Sequence, residues 1–453
     1  MARLLRRNAK GWTAEIDALL GTHCVAFRRG LIEHIDCVPE RLEKLTAAAA
    51  MVPLRSLSIH DLPPGSQWAE QLAGQSVLAQ IRTLHLSHHS PEALGQILGS
   101  PQLVRLEKVG LSGAVGQEDL DAFLNRQEAL GMPRLEIGRV EDVVIQVPLP
   151  EAVTALWAAL PESRWEVLAK LPRLESLHLR GGPTGPLPPL GLPALKTLEL
   201  QRPTESCAQA LRSADLRSLR TLRVRDVARD HSPLDTLAGL KDRLELERLE
   251  IDCWEVEAGP LVPLLAGPSL KHLSFCSKRL GRMAEAGCLR SLETLELRDC
   301  RLPVGDCRKL GANLGALWRL DVEGTKIEPP ALEALLRANP HLEELRPHAN
   351  DKSKGSTRLL ALLSSGVLPK LRELSLRYVL DRPLLEFLRS PWAAGLESLR
   401  FMLAPECNRL PSQTWHAIAD ALLALPSLDE LSMGYFTIDL EAKARLSQRF
   451  GRL

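Results

Sequence analysis

The sequence predicts an α/β solenoid, in which short parallel strands alternate with helices or turns. Three observations lead to this prediction. Leucine accounts for 91 of the 453 residues, which is about twice its ordinary share. Aromatic residues make up only 4% of the chain, and the leucines recur at a nearly constant spacing. A long array of small repeats explains all three, because each repeat buries its leucines against its neighbours and needs no large aromatic core.

The spacing follows the template Leu-x-x-Leu-x-Leu. In neighbouring matches the second leucines, Leu273, Leu295, Leu320 and Leu345, lie 22, 25 and 25 residues apart. Because strand side chains alternate between two faces, we expect the last two apolar residues of each match to point inward and those between them outward. Leu295, Leu297, Leu320 and Leu345 should therefore be buried. The fifteen matches begin at Leu54, Ile81, Leu103, Met132, Leu174, Leu195, Leu219, Leu246, Leu270, Leu292, Leu317, Leu342, Leu371, Leu396 and Leu428.

Two matches continue into the turn that follows the strand. Leu292-Leu295-Leu297 runs on to Cys300 and Leu302, and the next match runs on through Gly324 and Thr325 to Ile327. This pattern resembles bacterial leucine-rich repeat proteins over roughly residues 52–436. The resemblance implies a horseshoe of the ribonuclease-inhibitor type, with the parallel sheet on the concave face and helices and turns on the convex face. The usual turn asparagine is replaced by Cys300, Thr325 and other residues, so no continuous asparagine ladder is expected.

Helices are predicted where the chain returns between strands. Pro329–Pro340 starts with prolines that suit a first helical turn, carries an apolar stripe and ends at a proline. The segment that begins at Ser412 predicts a second helix, with Ser412 as N-cap and Trp415 inward. The second leucines of two successive matches, Leu135 and Leu177, lie 42 residues apart, which leaves room for one further repeat. We expect there either a degenerate repeat or a helical insertion in residues 140–171.

Both ends of the chain depart from the repeat. Residues 1–51 predict a helical cap, with a short helix around Trp12 and another at roughly Pro39–Ala50. This segment resembles the small companion domain that precedes leucine-rich repeats in many bacterial proteins. Residues 52–439 form the predicted solenoid, and the amphipathic segment 440–453 predicts a capping helix over the last apolar layer.

Composition and motifs argue against several classes of function. Net charge is +1, so a non-specific nucleic-acid binder is not expected. No apolar run is long enough for a membrane span, and no secretory signal is recognisable, which favours a cytoplasmic location. The nine cysteines show no zinc or disulfide spacing, and common catalytic motifs are lacking, so we expect no metal, cofactor or catalytic centre. His88 and His89 are expected to lie in a solvated turn. Cys276 is a weak candidate for a nucleophile, because the alternation of strand side chains places it on the concave face.

The concave face is therefore the predicted binding surface, for a protein or peptide partner. Its basic and acidic residues interleave, unlike a nucleic-acid groove of one sign. We expect the arginines to be largely exposed beside the acidic rows. Two alternatives stay open: an enzyme or specificity subunit with a site near residues 140–171, and a secreted effector that binds host protein. The predicted contact residues are Arg180, Arg223, Arg225, Glu250, Asp252, Arg298, Asp321, Glu323, Arg346, Arg377 and Arg400.

Overall fold

The computed structural model separates into two compact units, Met1–Leu219 and Arg220–Leu453, and each is treated by itself. The structure describes the following parts of the chain. These are residues 25–28, 31–37, 42–51, 53–59, 67–87, 93, 96–97, 99–113, 134–140, 153–158, 168, 171–181, 191–227, 232–252, 262–265, 267–276, 287–347, 352–407, 410–434 and 438–450.

The first unit is a sheet with helices in the returns. A hairpin joins β1 to β2, and from β2 onward each strand pairs in parallel with the next one in the chain. The strands are β1 (Val25–Arg28), β2 (Leu31–Cys37), β3 (Ser56–Ile59), β4 (Thr83–Ser87), β5 (Lys108–Gly113), β6 (Arg134–Val140), β7 (Val153–Ala158), β8 (Ser176–Arg180) and β9 (Thr197–Gln201). The helices are α1 (Leu42–Met51), α2 (Gln67–Ala73) and α3 (Glu205–Ser213).

The second unit repeats the arrangement with more helices. Its strands are β10 (Thr221–Arg225), β11 (Arg248–Asp252), β12 (His272–Cys276), β13 (Thr294–Arg298), β14 (Arg301–Leu302), β15 (Arg319–Asp321), β16 (Lys326–Ile327), β17 (Glu344–Arg346), β18 (Glu373–Val379), β19 (Ser398–Leu403) and β20 (Glu430–Met433). Its helices are α4 (Ser232–Ala238), α5 (Val262–Leu265), α6 (Val304–Asn313), α7 (Pro329–Arg337), α8 (Lys352–Ser364), α9 (Asp381–Leu388), α10 (Ser412–Ala424) and α11 (Leu440–Phe450). All its pairings are parallel, and β14 with β16 forms a separate small ladder.

The strand registers confirm the leucine template. Leu295 pairs with Leu320, and Leu320 pairs with Leu345, so equivalent leucines stack from strand to strand. Leu295, Leu297, Leu320 and Leu345 are at most 1% exposed, as predicted. The helices supply the other side of this core, since Leu332, Leu335 and Leu336 of α7 are also buried. Each unit is thus an α/β leucine-rich-repeat solenoid with an open parallel sheet.

One strand register differs from the sequence prediction, and one of the two alternatives for residues 140–171 is decided. In β5, Val109 and Leu111 pair with Leu84 and Leu86, so this repeat reads Leu106-Val109-Leu111, three residues later than predicted. The interval expected to hold a degenerate repeat or a helical insertion contains strand β7, whose Leu156 pairs with Leu177. Leu156 lies 21 residues before Leu177, but on its other side it pairs with Ile137 across an irregular register, so this interval is a degenerate repeat.

The N-terminal segment also differs from the helical expectation. Its β2 strand joins the sheet in parallel, and Ile35 pairs with Leu57, 22 residues later. The repeat therefore extends N-terminal to residue 52, because Ile35 and Cys37 occupy the apolar template positions. Helix α1 lies close to the helix expected at residues 39–50, whereas the helix expected around Trp12 falls outside the described residues. Helix α11 agrees with the expected C-terminal helix, and the domain boundaries stay a prediction.

Turn residues carry the strand ends into the returns. A residue with positive φ directly follows β8, β9, β10 and β13: Gly181, Arg202, Asp226 and Asp299. Two turn side chains replace the missing asparagine ladder. Thr325 Oγ1 donates to the Leu297 carbonyl at 2.5 Å and so ties its repeat to the preceding one. The Cys300 thiol lies within hydrogen-bond distance of two carbonyl oxygens, that of Arg298 at 3.3 Å and that of Phe275 in the preceding repeat at 3.7 Å.

Around helix α10 one detail was predicted wrongly. Trp415 is buried as expected, but Pro411 occupies the N-cap position and Ser412 is the first helical residue. The Ser412 hydroxyl donates instead to Asp439, at 2.9 Å. Asp439 also accepts the backbone N–H groups of Glu441 and Ala442, so it caps α11 while it binds α10.

Candidate partner-binding surface

The side of each sheet that faces away from the leucine core is called the open face. In the second unit it consists of three rows of side chains that cross the parallel strands. The first row contains Thr221, Arg248, His272, Thr294, Arg319, Glu344, Glu373, Ser398 and Glu430. The middle row contains Arg223, Glu250, Ser274, Glu296, Asp321, Arg346, Ser375, Arg400 and Ser432. The last row contains Arg225, Asp252, Cys276, Arg298, Glu323, Arg377 and Met402.

Ten of the eleven predicted contact residues fall on these rows. The exception is Arg180, which ends β8 in the first unit, opposite Gln201. Arg225, Arg298, Arg377 and Arg400 are exposed, as expected. Arg223 and Arg346 are less exposed than expected, at 32% and 35%, because each is drawn down onto acidic neighbours.

Arginines and acids of the open face pair with one another across and along strands. Arg223 Nε lies 3.0 Å from Glu250 Oε2, and Arg248 binds the other oxygen of the same carboxylate. Arg298 pairs with Glu296, and Arg377 pairs with Glu323. These partly exposed pairs contribute only about 0–1 kcal/mol each to stability. They do, however, reduce the charge that the arginines can offer to a partner.

Arg346 lies at the centre of the most buried of these networks. Its guanidinium contacts Glu344 at 2.9 Å and Asp321 at 3.8 Å, and Arg319 approaches Glu344 at 3.4 Å. Both acids are almost fully buried. Burial raises the pKa of Asp321 even though its Oδ1 accepts the Glu323 backbone N–H at 3.0 Å. Asp321, predicted as a partner contact, is thus buried and contacts Arg346 and the turn after β15.

The charge of Glu296 is favoured by its neighbours on the open face. Burial by itself would raise the pKa of this carboxyl group. Hydrogen bonds from Arg298 and Ser274, together with the positive charges of Arg298 and Arg319, outweigh burial and lower the pKa. Glu296 therefore stays ionised near neutral pH and holds Arg298 in place.

Cys276 occupies the expected strand position, between Asp252 and Arg298, but it is buried. Burial, followed by the negative charge and hydrogen bond of Asp252, raises the pKa of its thiol to about 12. A thiol that stays protonated at neutral pH is a poor nucleophile. The structure therefore argues against the reactive role considered for Cys276. Cys300, expected to be structural, is fully buried.

The open face of the first unit carries a hydrogen-bond chain that the template did not reveal. His34 Nδ1 lies 2.8 Å from Ser56 Oγ, and His34 Nε2 lies 2.8 Å from Asp36 Oδ1. A serine, a histidine and an aspartate are linked in this order in many hydrolases, where backbone N–H groups also stabilise the oxyanion. Here the backbones of β2 and β3 are engaged in sheet pairing. We therefore interpret the chain as a link between strands.

A second histidine–acid pair lies near Arg180 in the same unit. His178 Nδ1 lies 3.3 Å from Glu199 Oε1, and both side chains are about nine-tenths buried. The two residues face one another on β8 and β9. Their positions were visible in the sequence as outward residues, but their pairing depended on the strand register.

The described ranges contain neither a metal-binding cluster nor a membrane-spanning helix. No group of three or more histidine, cysteine, aspartate or glutamate side chains there is arranged to hold a metal ion. In that part of the chain, none of the helices combines the length and the apolar character needed to cross a bilayer. His88 and His89, and also Trp254, lie outside the described residues. Trp318, at the edge of β15, is 38% exposed.

Comparison with known proteins adds little to this description. No protein-family model matches the chain, and no curated protein matches it in sequence. Among solved structures, an internalin from Listeria monocytogenes is similar at 14% identity. The match covers 88% of this chain and 94% of the internalin, with a TM-score of 0.37. The TM-score is low. The leucine-rich-repeat assignment therefore rests on the repeats and the strand registers of the chain itself.

Proposed function

We propose that this protein is a non-enzymatic scaffold that binds a protein or peptide partner on the open face of its sheet. One observation carries the proposal. In the second unit nearly all inward side chains of the strands are buried, whereas the opposite face carries mainly charged and polar side chains. Rigid sheets of this kind serve repeat proteins as extended binding surfaces.

The charge pattern supports a protein partner. Each of the three rows contains both acidic and basic side chains, so a polyanion such as nucleic acid that crossed the strands would meet carboxylates as well as arginines. A protein surface can match both signs, and complementary charges then select the partner and speed the encounter.

A charge-reversal experiment tests this function. Immobilised wild-type protein would be used to capture partners from an extract of the organism that encodes it. Arg225→Glu combined with Arg298→Glu reverses two exposed charges of the last row. The variant should fold, because exposed ion pairs contribute little to stability, and it should capture much less of the specific partner.

The matched control reverses two exposed arginines on the helices. Arg308 lies on α6 and Arg382 on α9, and neither belongs to the open face. Arg308→Glu with Arg382→Glu should capture the partner at the wild-type level, with an unchanged thermal melt. The proposal would be contradicted if both double variants, and also Glu373→Gln and Arg400→Gln on the same face, captured the partner at the wild-type level; attention would then turn to the helices.

The two alternatives have no structural observation in their favour. The interval 140–171, considered for an enzyme site, contains strand β7 where a helical insertion was one of the two expectations. A secreted effector would use the same open face, so the charge-reversal experiment applies to it equally.

A further inference from the structure

We infer that the partner binds mainly at β18 and β19. There Glu373 binds a positively charged side chain, and Arg400 binds a negatively charged side chain, of a single extended peptide segment. This inference rests on the proposed function and specifies both the location and the chemistry of the partner. The two halves of the open face differ in the order of their acidic and basic rows.

Over β10 to β15 the middle row is largely acidic, with Glu250, Glu296 and Asp321 flanked by arginines. Over β17 to β20 the order is inverted. There the first row is acidic, with Glu344, Glu373 and Glu430, and the following rows are basic, with Arg346, Arg377 and Arg400. This part of the face is therefore divided into an acidic strip and a basic strip that run side by side across the strands.

Two charges in these strips lack an internal partner. Glu373 and Arg400 are both exposed, and within the described part of the chain neither forms an ion pair. Arg400 is paired in register with Ser375 on one side and Ser432 on the other, both neutral. Burial and the charges of Glu344 and Glu430 raise the pKa of Glu373, and they outweigh the opposite effect of Arg346 and Arg319, neither of which forms an ion pair with it. A cation supplied by a partner would relieve that repulsion.

Unpaired charges are the favourable places for a partner to bind. A partner carboxylate that approaches Arg298 or Arg377 competes with Glu296 or Glu323, which already occupies the guanidinium. At Arg400 no internal pair has to break. The same holds for a partner ammonium or guanidinium group at Glu373. Charge complementarity therefore favours these two side chains over the other charges of the open face.

The register sets the spacing that a partner must have. Arg400 pairs with Ser375, which lies two residues beyond Glu373 on the same strand. With about 3.3 Å per residue along a strand and about 4.8 Å between strands, the two positions are about 8 Å apart. An extended peptide places residues i and i+2 on the same side, about 7 Å apart. A Lys-x-Glu segment fits this spacing, whereas adjacent Lys-Glu residues point to opposite sides.

Two capped synthetic peptides of identical composition provide the test. One contains Lys-Ser-Glu and the other contains Lys-Glu-Ser, each within the same neutral serine and glycine flanks. Binding to the full-length protein would be measured by NMR titration at low salt. We expect the Lys-Ser-Glu peptide to bind about 5-fold more tightly, and Glu373→Gln or Arg400→Gln to remove most of that preference, as expected for ion pairs of up to about 1 kcal/mol.

The control variants Arg382→Gln and Glu386→Gln remove an exposed ion pair of α9 and should leave peptide binding unchanged. Equal affinity for the two peptides, no binding, or affinity that is insensitive to Glu373→Gln and Arg400→Gln would overturn the inference. If those results coincide with partner capture that depends on Arg225 and Arg298, the proposed function stands and only its location is wrong. If sedimentation shows that Glu373→Gln or Arg400→Gln changes self-association instead, the two charges serve contact between copies, which also overturns the inference.

Discussion

Thr325 donates its hydroxyl to the carbonyl of Leu297, which lies 28 residues earlier in the preceding repeat. Thr325 is completely buried, so that carbonyl has no access to water through the turn. Thr325→Val keeps the shape but removes the donor, and should lower the free energy of unfolding by about 1–3 kcal/mol. Denaturant unfolding would measure the loss. Thr325→Ser retains the hydroxyl and should recover most of it; equal losses for both variants would show that packing, not the hydrogen bond, is responsible.

Leu320 should be among the costliest residues to truncate. It is fully buried and stacks on Leu295 and Leu345 in the neighbouring strands. Leu320→Ala should lower the free energy of unfolding by about 2–5 kcal/mol, because it leaves a cavity in a packed core. Val104, which is 72% exposed, offers the reference, and Val104→Ala should change stability by no more than about 0.5 kcal/mol. Similar effects for the two variants would refute the assigned register.

Gly311 lets α6 and α7 approach closely. A Cβ atom added there would lie 2.8 Å from the Cβ of Ala338. Gly311→Ala should therefore destabilise the protein by about 1–3 kcal/mol through overpacking, and the second substitution Ala338→Gly should restore part of the loss. Gly305 in the same helix has open space around its Cα, so Gly305→Ala should be neutral or stabilising by up to about 1 kcal/mol. Thermal melts of the three variants would check this order, and destabilisation by both alanines alike would contradict it.

Asp321 should make stability depend on pH in the direction opposite to most carboxylates. Its folded pKa is raised from 3.8, chiefly by burial. The folded state then holds the proton at pH values where the unfolded state has lost it, so this group's contribution to stability is present below pH 3.8 and is lost as pH rises through the folded pKa. Compared with Asp321→Asn, the wild type should lose free energy of unfolding over that interval. Denaturant unfolding of both proteins from acidic to neutral pH tests the sign, and a constant or growing wild-type advantage would contradict it.

Cys276 should resist alkylation in the folded protein. Its thiol is buried, and its pKa is raised to about 12 by burial and by Asp252. Since only the thiolate reacts efficiently, iodoacetamide at neutral pH should modify Cys276 slowly in the native protein and rapidly in denaturant. Mass spectrometry of peptides that contain Cys276 would measure both rates. Rapid native labelling would reinstate the reactive role that the structure argues against.

Leucine periodicity by itself determined the fold class and the inward register of most strands. A parallel sheet repeats each apolar contact once per repeat. The period is therefore visible in the sequence wherever leucine occupies both inward positions of a strand. The template failed at β2 and β7, where Ile35 and Cys37, or Leu156 and Ala158, fill the same positions. Backbone hydrogen bonds to the neighbouring strands hold β2 and β7 in the sheet, so the identity of their inward residues matters less there.

Alternation also determined which side chains face away from the core, including ten of the eleven predicted contacts. Only the tertiary structure decided what these side chains do. Asp321 and Cys276 face outward by register, yet neighbours on adjacent strands bury them. Arg377 is paired with Glu323, whereas Arg400 has no ion pair among the described residues. Burial and pairing depend on which residues adjacent strands place side by side, and those residues are more than twenty positions apart in the chain.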